Sequence, residues 1–177
     1  GDDGTYLQQV NFKGVLTQPS STASISGQGA PLDLKLVQDY VITNETQTET
    51  ADVDAPIVFV GFGIDAPEYQ WNDYQGVDVK GKVVLVIVNE PPSSDQKFFT
   101  GEALTYYGRW VYKFEQAARQ GAVGALIIHR TDLASYGWDV VRNSWSNEQV
   151  YLRDDQDPKL KTANWIQLDV ARKLPLG

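Results

Sequence analysis

Several short stretches of the chain carry residue types that could do chemistry. Gly61-Phe62-Gly63-Ile64-Asp65-Ala66 fits the pattern G-x-G-x-x-G/A, in which tight glycine turns and a helix N-terminus hold a dinucleotide pyrophosphate. That chemistry requires a helix to open at the glycines. Here Pro67 follows at once, and residues 68–74 (EYQWNDY) have no helical apolar face, so the segment reads as a glycine turn after a strand. His129 is the one histidine. A catalytic base needs a nucleophile and an orienting partner, and a zinc site needs further ligands that a chain without cysteine cannot draw from thiolates. Its place at the end of an apolar run assigns His129 a structural role. Asp154-Asp155-Gln156-Asp157 offers oxygen ligands for calcium, but it lacks the spacing and distal Glu of an EF-hand and reads as a solvated acidic turn. Asn44-Glu45-Thr46 fits the N-glycosylation acceptor, which matters only in a eukaryotic secretory setting. No residue is assigned a catalytic or metal-ligating role.

The aromatic residues carry more weight. Trp71, Trp110, Trp138, Trp145 and Trp165 accompany nine Tyr. Exposed aromatics stack on sugars or anchor protein partners, whereas most line the core. Tyr107 belongs with the core. Tyr106, Arg109, Trp110 and Lys113 fall nearer the other side of a predicted helix and form the candidate interaction surface.

The elements that must position these residues follow from periodicity. Residues 82–88 (KVVLVIV) and 122–129 (AVGALIIH) are apolar without alternation, as in strands buried on both faces of a parallel sheet. Between them, Leu104, Tyr107, Val111, Phe114 and Ala118 recur at three- and four-residue steps and predict a helix over 103–120. Gly121 stands where a left-handed cap would end it. Strand, helix and strand make one βαβ unit with parallel strands. Gly108 inside a helix costs about 1 kcal/mol against Ala, so either it packs closely or the helix starts after it. Further strands are expected near 6–16, 32–42, 56–60 and 164–168, with loops at 17–31, 43–55 and 89–102. There is no internal repeat.

Composition bounds the rest. The 177 residues suffice for one domain with a real core, and 42% hydrophobic against 21% charged residues is ordinary for a globular chain. A net charge of −8, with 15 basic residues scattered among 23 acidic ones, argues against nucleic acid as a partner. No apolar run approaches the roughly 20 residues that span a bilayer, so no membrane partner is expected. With neither Cys nor Met, and Gly at position 1, the sequence reads as a fragment or mature form.

Several motifs in order resemble one family. Residues 58–64 (VFVGFGI) with Ala66-Pro67, then residues 71–74 (WNDY) and 77–83 (VDVKGKV), are similar to the protease-associated domains inserted in bacterial M28-type zinc aminopeptidases. So are residues 105–110 (TYYGRW), Tyr112-Lys113, Ala117-Ala118 and Gly121-Ala122, followed by residues 125–129 (ALIIH). The match is strongest over 56–145. Phe62 stands where Tyr is common, and Arg130 where an acidic residue is usual.

The resemblance implies an α/β fold of the swivelling β/β/α type, with curved mixed β-sheets, flanking helices and one βαβ unit. It implies one domain over 1–177, with 1–30 and 159–177 as connectors toward a peptidase domain outside this sequence. It further implies a non-catalytic role beside that domain, shaping substrate access or binding peptide and protein segments. No cofactor is expected in this fragment; zinc is expected in the parent peptidase domain. A secreted or periplasmic location follows from the same likeness. The second reading is a stand-alone carbohydrate- or protein-binding module using the exposed aromatics, and the third a structural spacer.

Overall fold

The two apolar runs lie side by side in the middle of the molecule. The computed structural model describes residues 4–101, 103–153 and 155–174. Its elements are β1 (Phe12–Val15), β2 (Ala23–Ile25), β3 (Leu32–Leu34), β4 (Tyr40–Thr43), β5 (Ile57–Phe59), β6 (Asp65–Ala66), β7 (Trp71–Asn72), β8 (Val83–Ile87), α1 (Trp110–Arg119), β9 (Gly124–His129), α2 (Thr131–Ala134), α3 (Trp138–Trp145), β10 (Gln149–Leu152), β11 (Thr162–Gln167) and α4 (Leu168–Ala171). The fold is mixed α/β.

A five-stranded sheet runs in the order β4-β11-β9-β8-β5. β5, β8, β9 and β11 are parallel, and β4 closes one edge antiparallel to β11. Side chains alternate across this sheet. Val84, Val86, Ala125, Ile127, Ala163 and Trp165 face α1 and α3 in one core. Leu85, Leu126, Ile128 and Ile166 face Ile25 and α4 in a second. Burial on both faces is why β8 and β9 show no polar alternation in sequence.

The βαβ unit expected from periodicity is present as β8-α1-β9, with β8 and β9 in parallel register from Val83↔Gly124 to Ile87↔Ile128. Gly121 has φ +83°. Its N–H donates to the Ala118 carbonyl and that of Ala122 to the Ala117 carbonyl, both at 3.0 Å, the paired bonds of a Schellman cap. The helix starts later than the apolar spacing predicts. Tyr106–Gly108 form a single 3-10 turn whose preceding Thr105 accepts from the Tyr107 N–H, and Arg109 is extended (φ −75°, ψ 141°) before α1 opens. Leu104 is thereby outside the helix and 53% exposed, not on its buried face.

Two of the stretches read as loops or loosely alternating strands hold small sheets. β2 pairs with β3 antiparallel, and β1 pairs with β10. The 32–42 stretch is not one strand: a turn with Val37 at φ +69° separates β3 from β4. The glycine segment is a turn, with Gly61 at φ +55° and Gly63 at φ +65°. A Cβ at Gly61 would lie 2.8 Å from the Asp73 carboxylate, and one at Gly63 2.7 Å from Val86. The Asp73 carboxylate also accepts the Ile64 N–H at 3.0 Å, so the turn is filled by the chain itself. Only the 3-10 turn Pro67–Tyr69 follows it.

Candidate ligand groove at the carboxyl edge of the sheet

In open α/β sheets the crevice beyond the carboxyl ends of the strands is where ligands bind. β8 ends at Asn89-Glu90-Pro91-Pro92, where two prolines stop ladder pairing. Asn89 takes a left-handed conformation (φ +76°), which asparagine tolerates better than most residues. Its Nδ2 donates to the Leu133 carbonyl at 2.7 Å and its Oδ1 accepts the Glu90 N–H at 2.8 Å. One side chain thus ties the segment after β8 to the segment after β9.

Glu90 is only 6% exposed. One carboxylate oxygen accepts the Thr105 N–H at 3.0 Å and the other accepts the Thr105 hydroxyl. These bonds close the base of the loop between them. Within that loop Phe99, Thr100 and Gly101 all have positive φ, and Phe99 is fully buried against Tyr69, Trp71, Phe98 and Tyr107.

Between this loop, the start of α1 and the turn after β9 lies an open groove of about 760 Å³, lined among others by Pro91, Leu104, Arg109, Trp110 and Tyr136. Its size falls in the range of small-ligand and peptide side-chain sites. Gly108 forms part of the wall, where an added Cβ would run into Leu104 and lie 2.9 Å from Asn89 Oδ1. The absence of a side chain at Gly108 therefore keeps the groove's floor close-packed.

The four residues chosen from sequence separate here. Arg109 and Trp110 line the groove, with Trp110 41% exposed and its indole packed edge-on against Phe114 and Trp145. Tyr106 is 53% exposed but sits to the side, its hydroxyl donating to Glu115 at 2.9 Å. Lys113 is a correction. It is fully buried, and its Nζ donates to the Tyr107 carbonyl at 2.6 Å, so it is not available to a partner surface. Burial pulls its pKa down to about 7, against the opposing pull of the Asp73 and Glu90 carboxylates.

His129 is 3% exposed and lies among rings, 5.5 Å from Tyr136 and 6.0 Å from both Trp138 and Trp165. Neither ring nitrogen has a partner in good hydrogen-bond geometry. Burial holds its pKa below the usual value, with the Tyr136 backbone pulling the other way. It stands beneath the turn that carries Tyr136 to the groove. In the acidic stretch, Asp154 lies outside the described residues, and Asp155 is ion-paired with Lys159.

Asn89, Glu90 and residues 133–136 at the end of α2 were not singled out by sequence. The available signal was an Asn-Glu-Pro-Pro stretch directly after a doubly buried strand, the position that faces the crevice.

No family model matches this chain, and no curated protein matches it. Among solved structures, an aminopeptidase from Aneurinibacillus sp. strain AM-1 is similar at 19% identity and a TM-score of 0.43, over 91% of this chain and 29% of that one. The chain therefore spans less than a third of that aminopeptidase's length.

Proposed function

We propose that this chain is a protease-associated domain, a non-catalytic accessory unit of an exported M28-type zinc aminopeptidase, and that its groove takes peptide segments on their way to a neighbouring catalytic domain. The observation that carries the reading is how the resembling motif blocks meet. The 56–83 and 105–129 blocks share the β8-α1-β9 unit, and the Tyr112 hydroxyl bonds the Asp65 backbone at 3.1 Å while the Tyr107 hydroxyl donates to Glu68 at 2.7 Å. The second block gives the groove Gly108, Arg109 and Trp110, and these bonds tie the segment that carries them to the first block.

The groove suits binding better than bond breaking. Both oxygens of Glu90 are already held by Thr105, and His129 lies beneath the turn that reaches the groove. Ser93, Ser94 and Ser135 line it, but a serine nucleophile needs a base within hydrogen-bond reach. Zinc and its chemistry belong in this reading to the catalytic domain, and the location outside the cytoplasm comes with the parent enzyme.

A second reading is a carbohydrate-binding or protein-binding module built on Trp110 and Tyr106, which are 41% and 53% exposed. The two are separated by assaying aminoacyl-nitroanilide hydrolysis by this chain and by a longer protein that includes it, each with and without added zinc. The accessory reading expects activity in the longer protein alone. Hydrolysis by this chain that survives repurification would overturn it. Inactivity of both, with glycan binding lost in Trp110→Ala, would favour the second reading.

A further inference from the structure

Of the described residues that line the groove, only Glu90 and Arg109 are charged. The two differ in what they leave free. Glu90 is buried, and both its oxygens are taken up by Thr105. Its charge is spent inside the wall. Arg109 is exposed and has no ion pair among the described residues. By contrast, Arg119, Arg130, Arg142 and Arg172 each pair with a carboxylate within four residues. The chain holds 23 acidic residues against 15 basic ones, so the lack of a partner at Arg109 is not for want of carboxylates. Beside it α1 opens with no side-chain cap and no acidic residue in its first turn, which adds the positive end of a helix to the same charge. The next residue, Trp110, is held on one side by Phe114 and Trp145 and is 41% exposed on the other. Leu104 lines the same groove and is 53% exposed. The groove thus offers an unpaired cation next to a fixed apolar ring.

We infer that the groove takes the free carboxyl terminus of a peptide whose last side chain is apolar, with Arg109 holding the carboxylate and Trp110 and Leu104 the side chain. The inference rests on the reading of the groove as a peptide site and adds which end of the peptide enters it. Charge complementarity selects the carboxylate, because the planar guanidinium fork matches its two oxygens with two parallel bonds. Position selects the terminal one. A last residue carries its carboxylate and its side chain on one Cα, and Arg109 and Trp110 are consecutive, so one ligand residue meets both. An internal Asp or Glu would spend its own side chain on Arg109 and leave Trp110 to a neighbour. Size agrees, since about 760 Å³ holds the end of a peptide and not a folded partner. An enzyme that trims from the amino end also needs that end left free, and a site for the carboxyl end leaves it so.

Titration calorimetry of this chain with three short peptides tests the inference. The first is Ala-Ser-Ala-Leu with a free carboxyl terminus, the second its carboxyl-terminal amide, and the third that amide with Asp in place of Ser. The free acid should bind about tenfold or more tighter than either amide, the worth of a hydrogen-bonded charge. Arg109→Gln should bring the free acid down to the level of the plain amide and leave that amide unchanged, while Arg109→Lys restores part of the difference. Trp110→Ala should weaken all three by about threefold or more. Each variant should keep its far-ultraviolet circular dichroism spectrum, since both side chains are exposed. Equal binding of acid and amide would overturn the inference, as would a preference for the acid that survives Arg109→Gln. So would an Asp-containing amide that binds as tightly as the free acid, which would give Arg109 to acidic side chains. Peptides that bind without regard to their ends would overturn this inference alone. No binding of any of the three up to about 5 mM, where even a weak site fills, would overturn it together with the peptide reading of the groove.

Discussion

Two regions of the molecule leave apolar side chains in water, and they do so in opposite ways. At the carboxyl edge of the sheet, Leu104, Trp110 and Pro91 ring a concavity whose supports are polar and fully engaged: Glu90 on Thr105, Asn89 on Leu133. On the β1–β10 ribbon, Phe12, Val150 and Leu152 are half or more exposed on one face, while Lys13, Tyr151, Gln149 and Val15 share the other. A concave apolar site on a rigid, hydrogen-bonded rim fits something small and variable. On the ribbon the apolar side chains form no such enclosed concavity. The contrast separates an enclosed, polar-braced concavity from an open apolar face without appeal to any motif.

The contrast can be broken first at its common support. Trp165 is 1% exposed and packs against Trp145 and His129 under the groove side of the sheet. Trp165→Ala should cost about 3–5 kcal/mol of unfolding free energy in urea, whereas Phe12→Ala should cost less than about 0.5 kcal/mol. Equal losses would mean that the ribbon is packed in solution.

The rim is tested next. Glu90→Ala removes both acceptors from Thr105 and should destabilise the chain by about 1–3 kcal/mol, with limited proteolysis moving to the loop between residues 90 and 105. Retained protease resistance would show that Phe99 alone pins that loop.

Two titrations sharpen the comparison further, because Lys113 and His129 are ionisable groups buried on the groove side. For Lys113 the folded pKa is about 7 against 10.5 unfolded. Between those values the unfolded chain holds a proton that the folded chain does not. Stability should therefore rise with pH through that window, by up to about 1.4 kcal/mol per pH unit, while below it the burial cost is fully present. Urea midpoints of the native chain and Lys113→Met from pH 6 to pH 10 check this, the substitution flattening the slope. For His129 the folded pKa lies below 6.5, so the unfolded chain gains its proton first and stability should fall as pH drops below about 6.5. His129→Phe should reduce that acid loss and keep the stack on Tyr136.

The parts of this fold legible in sequence are those whose signals are local. The unalternating runs that became β8 and β9, the apolar spacing of Phe114 and Ala118, and the glycine at the end of α1 each state their structure within a few residues. The start of α1 was not legible from spacing, because Thr105 and Arg109 interrupt the helical backbone while leaving the apolar period unbroken. Lys113 was misplaced for a related reason. A charged residue was read as solvent-facing, yet α1 is packed on two sides, by the sheet through Phe114, Ala117 and Ala118 and by Phe99 and Tyr107 through Tyr112, and Lys113 is fully buried with its Nζ on the Tyr107 carbonyl. The ribbon was invisible because β1 and β10 meet from distant parts of the chain, and only their register shows which face is apolar. Within the groove, Arg109 and Trp110 were found from their place off the apolar face of the predicted helix, while Asn89 and Glu90 needed the tertiary meeting of two strand ends.

The central claim is that the groove selects peptides for a catalytic domain elsewhere in a longer protein. The most direct test is steady-state kinetics of that longer protein with Trp110→Ala and Arg109→Ala, comparing an aminoacyl-nitroanilide with peptides of about four to eight residues. The account predicts an unchanged kcat/KM for the small substrate and a several-fold rise in KM for the longer peptides. Equal kinetics on every substrate in both variants would contradict it.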